Sequence, residues 1–352
     1  MLKDLTIKNY RPFRRFTLDS IARVNLIVGP NNCGKSSLLE AIYLLAGEGL
    51  PLHLLNILNN RGEFVSEIFS SRARSSGGYQ MEHIFYKHQL KAGHDINIRS
   101  SLEKPISLTI SCQENQDSND EIGALVLAIE YIQPDMDPVR QTLHIQEDGL
   151  YPSRRRYFSR PSFRKQRNRL ITTSYLGYDE LAALWDNITL TPREDKVVEA
   201  LQILDPNVKR LSFTSRQTSN TGVLLKLKGE DKPIPLGSVG DGMRRVLTLA
   251  ASLVSVEDGT LLVDEIDTGL YYGTLVDVWR LILETSAKQN AQVFVTTHSW
   301  DCVKSFQEAL SEAPDDDLGL LIRLDSQDDI IQATSYSRDE LEIAMRDDIE
   351  VR

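Results

Sequence analysis

Residues Gly29-Pro30-Asn31-Asn32-Cys33-Gly34-Lys35-Ser36 satisfy the spacing G-x-x-x-x-G-K-[ST]. A loop of this kind lets backbone N–H groups curl around an anion, because glycine carries no Cβ to clash. The chemistry is phosphate holding. Lys35 reaches the β- and γ-phosphates of a nucleotide, and the Ser36 hydroxyl is a ligand for Mg²⁺. A glycine-rich turn without function has the same letters, so the flanking elements decide between the two readings.

Those flanks are the required ones. Val24-Asn25-Leu26-Ile27-Val28 is a short apolar run of the kind that forms a buried strand, and Ser37 to Leu45 is spaced as a helix. Strand, loop and helix N-terminus together aim N–H groups at phosphate oxygens. Gly29 to Ser37 are therefore the candidate nucleotide-binding residues. Cys33, inside the loop, is either a small filler or an oxidation-sensitive thiol.

Three further segments carry matching chemistry. Leu261-Leu262-Val263-Asp264-Glu265 is an apolar strand ending in two acids. On a strand neighbouring the phosphate loop, Asp264 supports the metal and Glu265 polarises an attacking water. A strand with solvated acids at its mouth would look the same in isolation. Val293 to Ser299 is a third strand, and His298 at its end is placed to contact a γ-phosphate or the lytic water. Leu236-Gly237-Ser238-Val239-Gly240-Asp241-Gly242 precedes a helix beginning near 241. Ser238 and Gly240 there form either a second anion-binding helix start or an ordinary N-cap. One chain with two such starts implies a partner's γ-phosphate held across a dimer.

The 352 residues suffice for one large domain or two ordinary ones, and 41% hydrophobic content suits a globular protein with a core. No apolar run reaches the 18 or so residues that span a bilayer, and the N-terminus alternates like a strand. The expectation is a cytoplasmic protein with no membrane partner. Cys33, Cys112 and Cys302 are too scattered for a disulfide framework or a zinc site. A net charge of −10 argues against a protein that coats DNA. Even so, Arg154, Arg155, Arg156, Arg160, Arg164, Lys165, Arg167 and Arg169 form a basic run with Tyr157, Phe158 and Phe163 between them. It is either a grip for DNA phosphates and bases or a solvated loop facing the acidic region after Asp315.

Residues 1–28 are expected to form two or three strands around the Arg11-Pro12-Phe13 turn. Residues 50–60 are read as a helix, 70–78 as a mobile loop, and 95–132 as antiparallel strands with a polar tip at 113–121. Thr191-Pro192-Arg193-Glu194 is a capping box with proline at the first helical position and opens a helix through Leu204, and 222–228 is a strand. From 236 onward helices over 241–255, 272–288 and 300–310 alternate with strands over 260–264, 292–297 and 318–324. Ser337-Arg338-Asp339-Glu340 caps a last helix. The fold class is α/β, a P-loop NTPase. It is read as one domain in three parts: 1–58, an inserted 59–235, and 236–352.

In this order the motifs resemble the ABC-type ATPases of the RecF, SMC and overcoming-lysogenization-defect (OLD) group, nearest to bacterial AAA-family ATPases described as OLD-like. The resemblance covers 29–37, 236–246, 261–271 and 293–302. It implies an ABC-type head with an antiparallel β-lobe and a helical insertion, ATP and Mg²⁺ as cofactors, and a head-to-head homodimer. Carried over, Lys35, Glu265 and His298 are catalytic, Ser36 and Asp264 hold the metal, and Ser238 and Gly240 act in trans. The signature Gly-Ser-Val-Gly-Asp-Gly and Tyr271 after the acid pair depart from the group's pattern. The Q-loop glutamine stays open among Gln80, Gln89 and Gln113. Full-length OLD proteins also carry a Toprim nuclease domain. Too few residues follow His298 for one, so any such nuclease would be a separate chain. DNA repair or phage defence is the implied process. A P-loop phosphotransferase and a non-hydrolysing nucleotide-binding scaffold remain as alternatives. A GTPase would need a guanine-reading Asn-Lys-x-Asp, which the chain lacks.

Overall fold

A computed structural model describes residues 1–66, 77–115, 125–146, 149–150, 167–173, 176–214 and 222–352. The loop expected over 70–78, most of the polar tip at 113–121, and Arg154 to Lys165 of the basic run fall outside those residues, apart from their edges. In chain order the strands are β1 (Leu5–Tyr10), β2 (Phe13–Leu18), β3 (Val24–Val28), β4 (Phe64–Ser66), β5 (Gly77–Tyr79) and β6 (Asp95–Ser100). Then follow β7 (Ile106–Glu114), β8 (Leu125–Ile132), β9 (Val139–Gln146), β10 (Gly149–Leu150), β11 (Asn168–Ile171) and β12 (Val208–Phe213). The last are β13 (Val223–Leu227), β14 (Ile234–Pro235), β15 (Thr260–Val263), β16 (Gln292–Thr296), β17 (Gly319–Gln327) and β18 (Ile330–Tyr336).

The sheet that positions the site runs β11-β15-β16-β3-β17-β18. Its neighbours are parallel except the last pair, where β18 returns antiparallel along β17. Parallel pairing demands crossovers, which helices such as 275–288 and 300–311 supply. The inner strands β15, β16 and β3 are covered on both faces and buried at every position, and their alternate residues enter different cores. Val24, Leu26, Leu261, Val263, Val293 and Val295 face one core, whereas Ile27, Leu262 and Phe294 face the other.

The second core is shared with an antiparallel sheet ordered β2-β1-β6-β7-β8-β9-β10-β5-β4. The helix Lys35–Ala46 lies between the two sheets, with Leu38, Leu39 and Ile42 fully buried alongside Ile7, Ile98 and Ile110. A buried ion cluster ties this helix to the first hairpin. Arg11, at φ 47°, pairs through Nε with Glu40 at 2.8 Å and through Nη1 with Glu63 at 2.8 Å. Arg61 Nε reaches the other Glu40 oxygen at 2.6 Å.

Residues 59–235 divide between the two cores. The strands up to β10 belong to the antiparallel sheet. β11 instead forms the edge of the parallel sheet, and helices 178–188 and 192–202 pack on helix 241–255. The capping box expected at Thr191 does not close: Thr191 Oγ1 accepts from Arg193 N instead of Glu194 N, and Glu194 accepts from the Leu190 N–H instead of that of Thr191. Ser337 and Glu340 do form the full reciprocal box. Among the described residues no helix is long and apolar enough to cross a membrane.

His53 gives the second core a pH dependence. It is buried against the Tyr43 ring, 4.5 Å away, and neither ring nitrogen has a hydrogen-bond partner. Burial pushes its pKa down to about 4. The folded value lies below the unfolded 6.5, so the fold keeps this stability above pH 6.5 and loses it as pH falls towards 4. His53→Leu is expected to remove about 2 kcal/mol of the stability lost between pH 7 and pH 5. Denaturant melts of both proteins at the two pH values measure it. Equal losses would contradict the assignment.

Candidate active site

The phosphate loop leaves β3 at Gly29 and enters its helix at Lys35, the first helical residue. Gly29 has φ 140°, and a Cβ there would meet the Leu324 carbonyl oxygen at 2.3 Å, so only glycine fits. Gly34 caps the helix in the left-handed region, at φ 92°. The Lys35 side chain folds back over the loop. Its Nζ donates to the carbonyls of Gly29 and Pro30, both at 2.8 Å. Burial lowers the pKa of this ammonium, with the carboxylates of Asp264 and Glu265 among the groups opposing the shift. Pro30, Asn31 and Asn32 are exposed, and Ser37 is buried. Cys33 is buried too, and burial raises its thiol pKa, which disfavours the reactive thiolate.

Asp264 comes to this loop from β15. In the sheet β15 is not next to the loop strand, because β16 lies between β15 and β3. The carboxylate still crosses that gap. Ser36 Oγ donates to Asp264 Oδ2 at 2.8 Å, joining residues 228 positions apart. The intervening strand contributes Thr296, whose Oγ1 donates to Asp264 Oδ1 at 2.5 Å and accepts the Glu265 N–H at 2.8 Å. Thr296 therefore fixes both acids, and sequence reasoning missed it because a threonine inside an apolar strand carries no distinctive spacing. Glu265 has φ 48°, so the chain turns sharply at the second acid. Its carboxylate is half-buried, with the Thr268 hydroxyl at 3.4 Å from Oε2. A hydroxyl and a carboxylate converging on one point are the hard oxygen donors that Mg²⁺ takes, so the residues fit that ion.

His298 is exposed on the turn after β16. Thr297, beside it, donates from Oγ1 to Asp267 and accepts the Ser299 N–H at 3.0 Å, tying this turn to the loop after the acids. Ser238 and Gly240 are exposed on the segment leading into helix 241–255, whose N-terminus has no side-chain cap. That helix start rests on the same loop after the acids, since a Cβ on Gly242 would meet the Gly269 carbonyl oxygen at 2.9 Å. Tyr271 and Tyr272 project from that loop, both about 60% exposed, with ring centroids 4.5 Å apart.

The family model described as "AAA domain, putative AbiEii toxin, Type IV TA system" matches residues 113–301, more than half of the chain. The chain belongs to this AAA-domain family. A second model, "AAA ATPase domain", matches residues 1–162 of this AAA-domain protein. Among curated relatives it is 23% identical over 348 residues to "ATP/GTP phosphatase" of Helicobacter pylori, covering 89% of each chain. It is 26% identical over 196 residues to "DNA replication and repair protein RecF" of Pseudoalteromonas translucida, covering 53% of this chain and 49% of that one. Among solved structures it superposes on an SMC head bound to the C-terminal winged-helix domain of ScpA, with TM-score 0.50, 15% identity and coverage of 98% and 99%. The Pyrococcus furiosus SMC head with an extended coiled coil, bound to the ScpA-derived C-terminal domain, gives TM-score 0.50 at 13% identity. The fold is that of a P-loop ABC-type ATPase head, as the motifs imply.

In this AAA-domain head one buried arginine links the signature helix to the acid pair. Arg245 is only 2% exposed and donates to the backbone oxygens of Thr172 at 3.0 Å, Asp264 at 2.8 Å and Glu265 at 2.9 Å. Removing the guanidinium strands buried carbonyls. Arg245→Met is expected to cost about 3 kcal/mol in a denaturant melt. A change within about 0.5 kcal/mol would contradict this role.

Only Arg167 and Arg169 of the basic run are described, and Arg169 is not on an open loop. It sits in β11, paired with Leu261 of β15, half-buried near Tyr43 and Glu180. Burial lowers its pKa. The run thus ends as a strand of the central sheet, and Arg169 is withdrawn from any DNA-gripping surface.

Beside the loop lies a cavity of about 430 Å³ that sequence reasoning did not anticipate. Asn32 and Ser37 form one wall, and Arg11, Arg61, His83 and Tyr86 are among the others. A larger groove of about 960 Å³ runs between β2 and β18, but no phosphate-loop residue lines it. The smaller cavity therefore borders the phosphate loop, at Asn32.

Proposed function

We propose that this AAA-domain protein binds and hydrolyses ATP, and that it closes as a homodimer when ATP is bound. The 2.8 Å contact between Ser36 and Asp264 carries this reading. It supports a phosphate loop and a metal-supporting acid acting as one site. Lys35 holds the β- and γ-phosphates once it exchanges the Gly29 and Pro30 carbonyls for phosphate oxygens. Ser36 and Asp264 would hold Mg²⁺, which when bound would supply positive charge beside the phosphates. Glu265 orients water and takes its proton, and His298 contacts the γ-phosphate. Ser238 and Gly240 complete the partner's site, which their exposure at an uncapped helix start supports. The name of the Helicobacter pylori relative, "ATP/GTP phosphatase", favours hydrolysis over group transfer.

The switch acts on DNA or on a separate Toprim-type nuclease. The name of the RecF relative, "DNA replication and repair protein", supports the first, with Arg154, Arg155 and Arg156 as the contact residues. The deciding experiment is product analysis with Mg-ATP. Free phosphate in step with ADP is the expected result. A phosphorylated acceptor would replace hydrolysis by phosphotransfer, and bound but unchanged ATP would leave a nucleotide-binding scaffold.

A further inference from the structure

The cavity beside Asn32 and Ser37 holds a pair of histidines that phosphate chemistry leaves unused. His83 and His88 both line it. Their Nδ1 atoms are 3.2 Å apart and the rings meet edge-on, with centroids 5.1 Å apart. The backbone enforces this meeting, because Lys87 and His88 take φ 57° and 56° and fold the chain back on itself. Left-handed residues side by side are costly for side-chain-bearing positions and cluster where a site is being shaped. His83 Nε2 lies 3.9 Å from Glu82 Oε1, beyond hydrogen-bond reach.

Two neutral imidazoles carry one N–H each. A hydrogen bond between the Nδ1 atoms needs one of them protonated and the other bare. The ring with Nδ1–H then has a bare Nε2, an acceptor, and the other ring has Nε2–H, a donor. The remaining edge of the pair thus offers one donor and one acceptor. Moving one proton between the two Nδ1 atoms, with the Nε2 protons exchanging through water, swaps which ring is which. No net charge changes. Adenine presents an amino donor where guanine presents a carbonyl acceptor. A pair that inverts its own pattern satisfies either one.

We propose that His83 and His88 read the base of the bound nucleotide and accept adenine and guanine alike. This rests on the phosphate-site reading above, because the cavity begins at Asn32 and Ser37. Its volume falls within the range of about 300–1,000 Å³ usual for small-ligand pockets. Half-buried Tyr86 lies in the same wall with the Lys87 ammonium over its ring, 5.5 Å from the centroid, so a stacked purine would take the other face.

Calorimetric titration of the full chain with Mg-ATP, Mg-GTP and inorganic triphosphate tests the pair. The wild type is expected to bind ATP and GTP within about fivefold of each other. His83→Ala/His88→Ala should weaken both nucleotides by about tenfold and leave triphosphate unchanged, which also certifies that the variant is folded. A wild-type preference above about a hundredfold, or nucleotide affinities unmoved in the variant, would overturn the proposal. If triphosphate binds as tightly as either nucleotide, the base reading alone fails. If none of the three binds, the phosphate site itself fails.

Discussion

Lys35→Ala is expected to raise the dissociation constant for Mg-ATP about a thousandfold, equivalent to about 4 kcal/mol. The ammonium is buried in the loop, where it donates to the Gly29 and Pro30 carbonyls. Attraction between an ammonium and a phosphate oxygen at 4 Å is about 4 kcal/mol at the effective dielectric of such sites. Alanine at the first helical position keeps the helix, so the nucleotide-free fold should change by less than about 2 kcal/mol. Equilibrium binding with a fluorescent ATP analogue measures the first quantity and a denaturant melt the second. Undiminished binding by a folded Lys35→Ala protein would show that Gly29 to Ser36 is not the nucleotide site.

Glu265→Gln separates binding from chemistry. Glutamine has the shape of glutamate, keeps an oxygen for the Thr268 hydroxyl, and leaves the Thr296 contact to the backbone N–H intact. It cannot take a proton from water. Turnover is expected to fall by a factor of about 10²–10⁴, the usual contribution of a general base, with ATP affinity within about threefold of the parent. Single-turnover phosphate release and equilibrium binding read the two effects. Hydrolysis by Glu265→Gln at the parental rate would remove Glu265 from the reaction.

The parts of this site legible from sequence are those whose spacing is fixed by backbone geometry. The loop must lie between a strand and a helix N-terminus, and Val24–Val28 and Lys35–Ala46 are those elements. The helices over 241–255, 275–288 and 300–311 were legible from apolar periodicity, and of the three only the last has a side-chain cap, Ser299. Strand order was not legible. Nothing along the chain says that β16 lies between β15 and β3, so Thr296 gained meaning only once Asp264 and Glu265 were seen to share it. Arg245 stood inside the signature segment, but its three backbone acceptors come from distant positions. β11 was hidden because Asn168-Arg169-Leu170-Ile171 continues a basic run whose charges outweighed a four-residue strand pattern. His83 and His88 become neighbours through two left-handed residues that propensity does not foretell.

The most direct test of the central claim is a mixing experiment with two damaged chains. Ser238→Arg spoils the surface offered to the partner and Glu265→Gln spoils the chain's own base, while Lys35 and Ser36 remain in both. Each variant alone should release almost no phosphate from Mg-ATP. Mixed in equal amounts, half of the pairs would combine one intact Glu265 with one intact Ser238 across a single interface, restoring on the order of a quarter of wild-type turnover. A mixture no more active than its separate components would contradict a reaction centre shared between two copies.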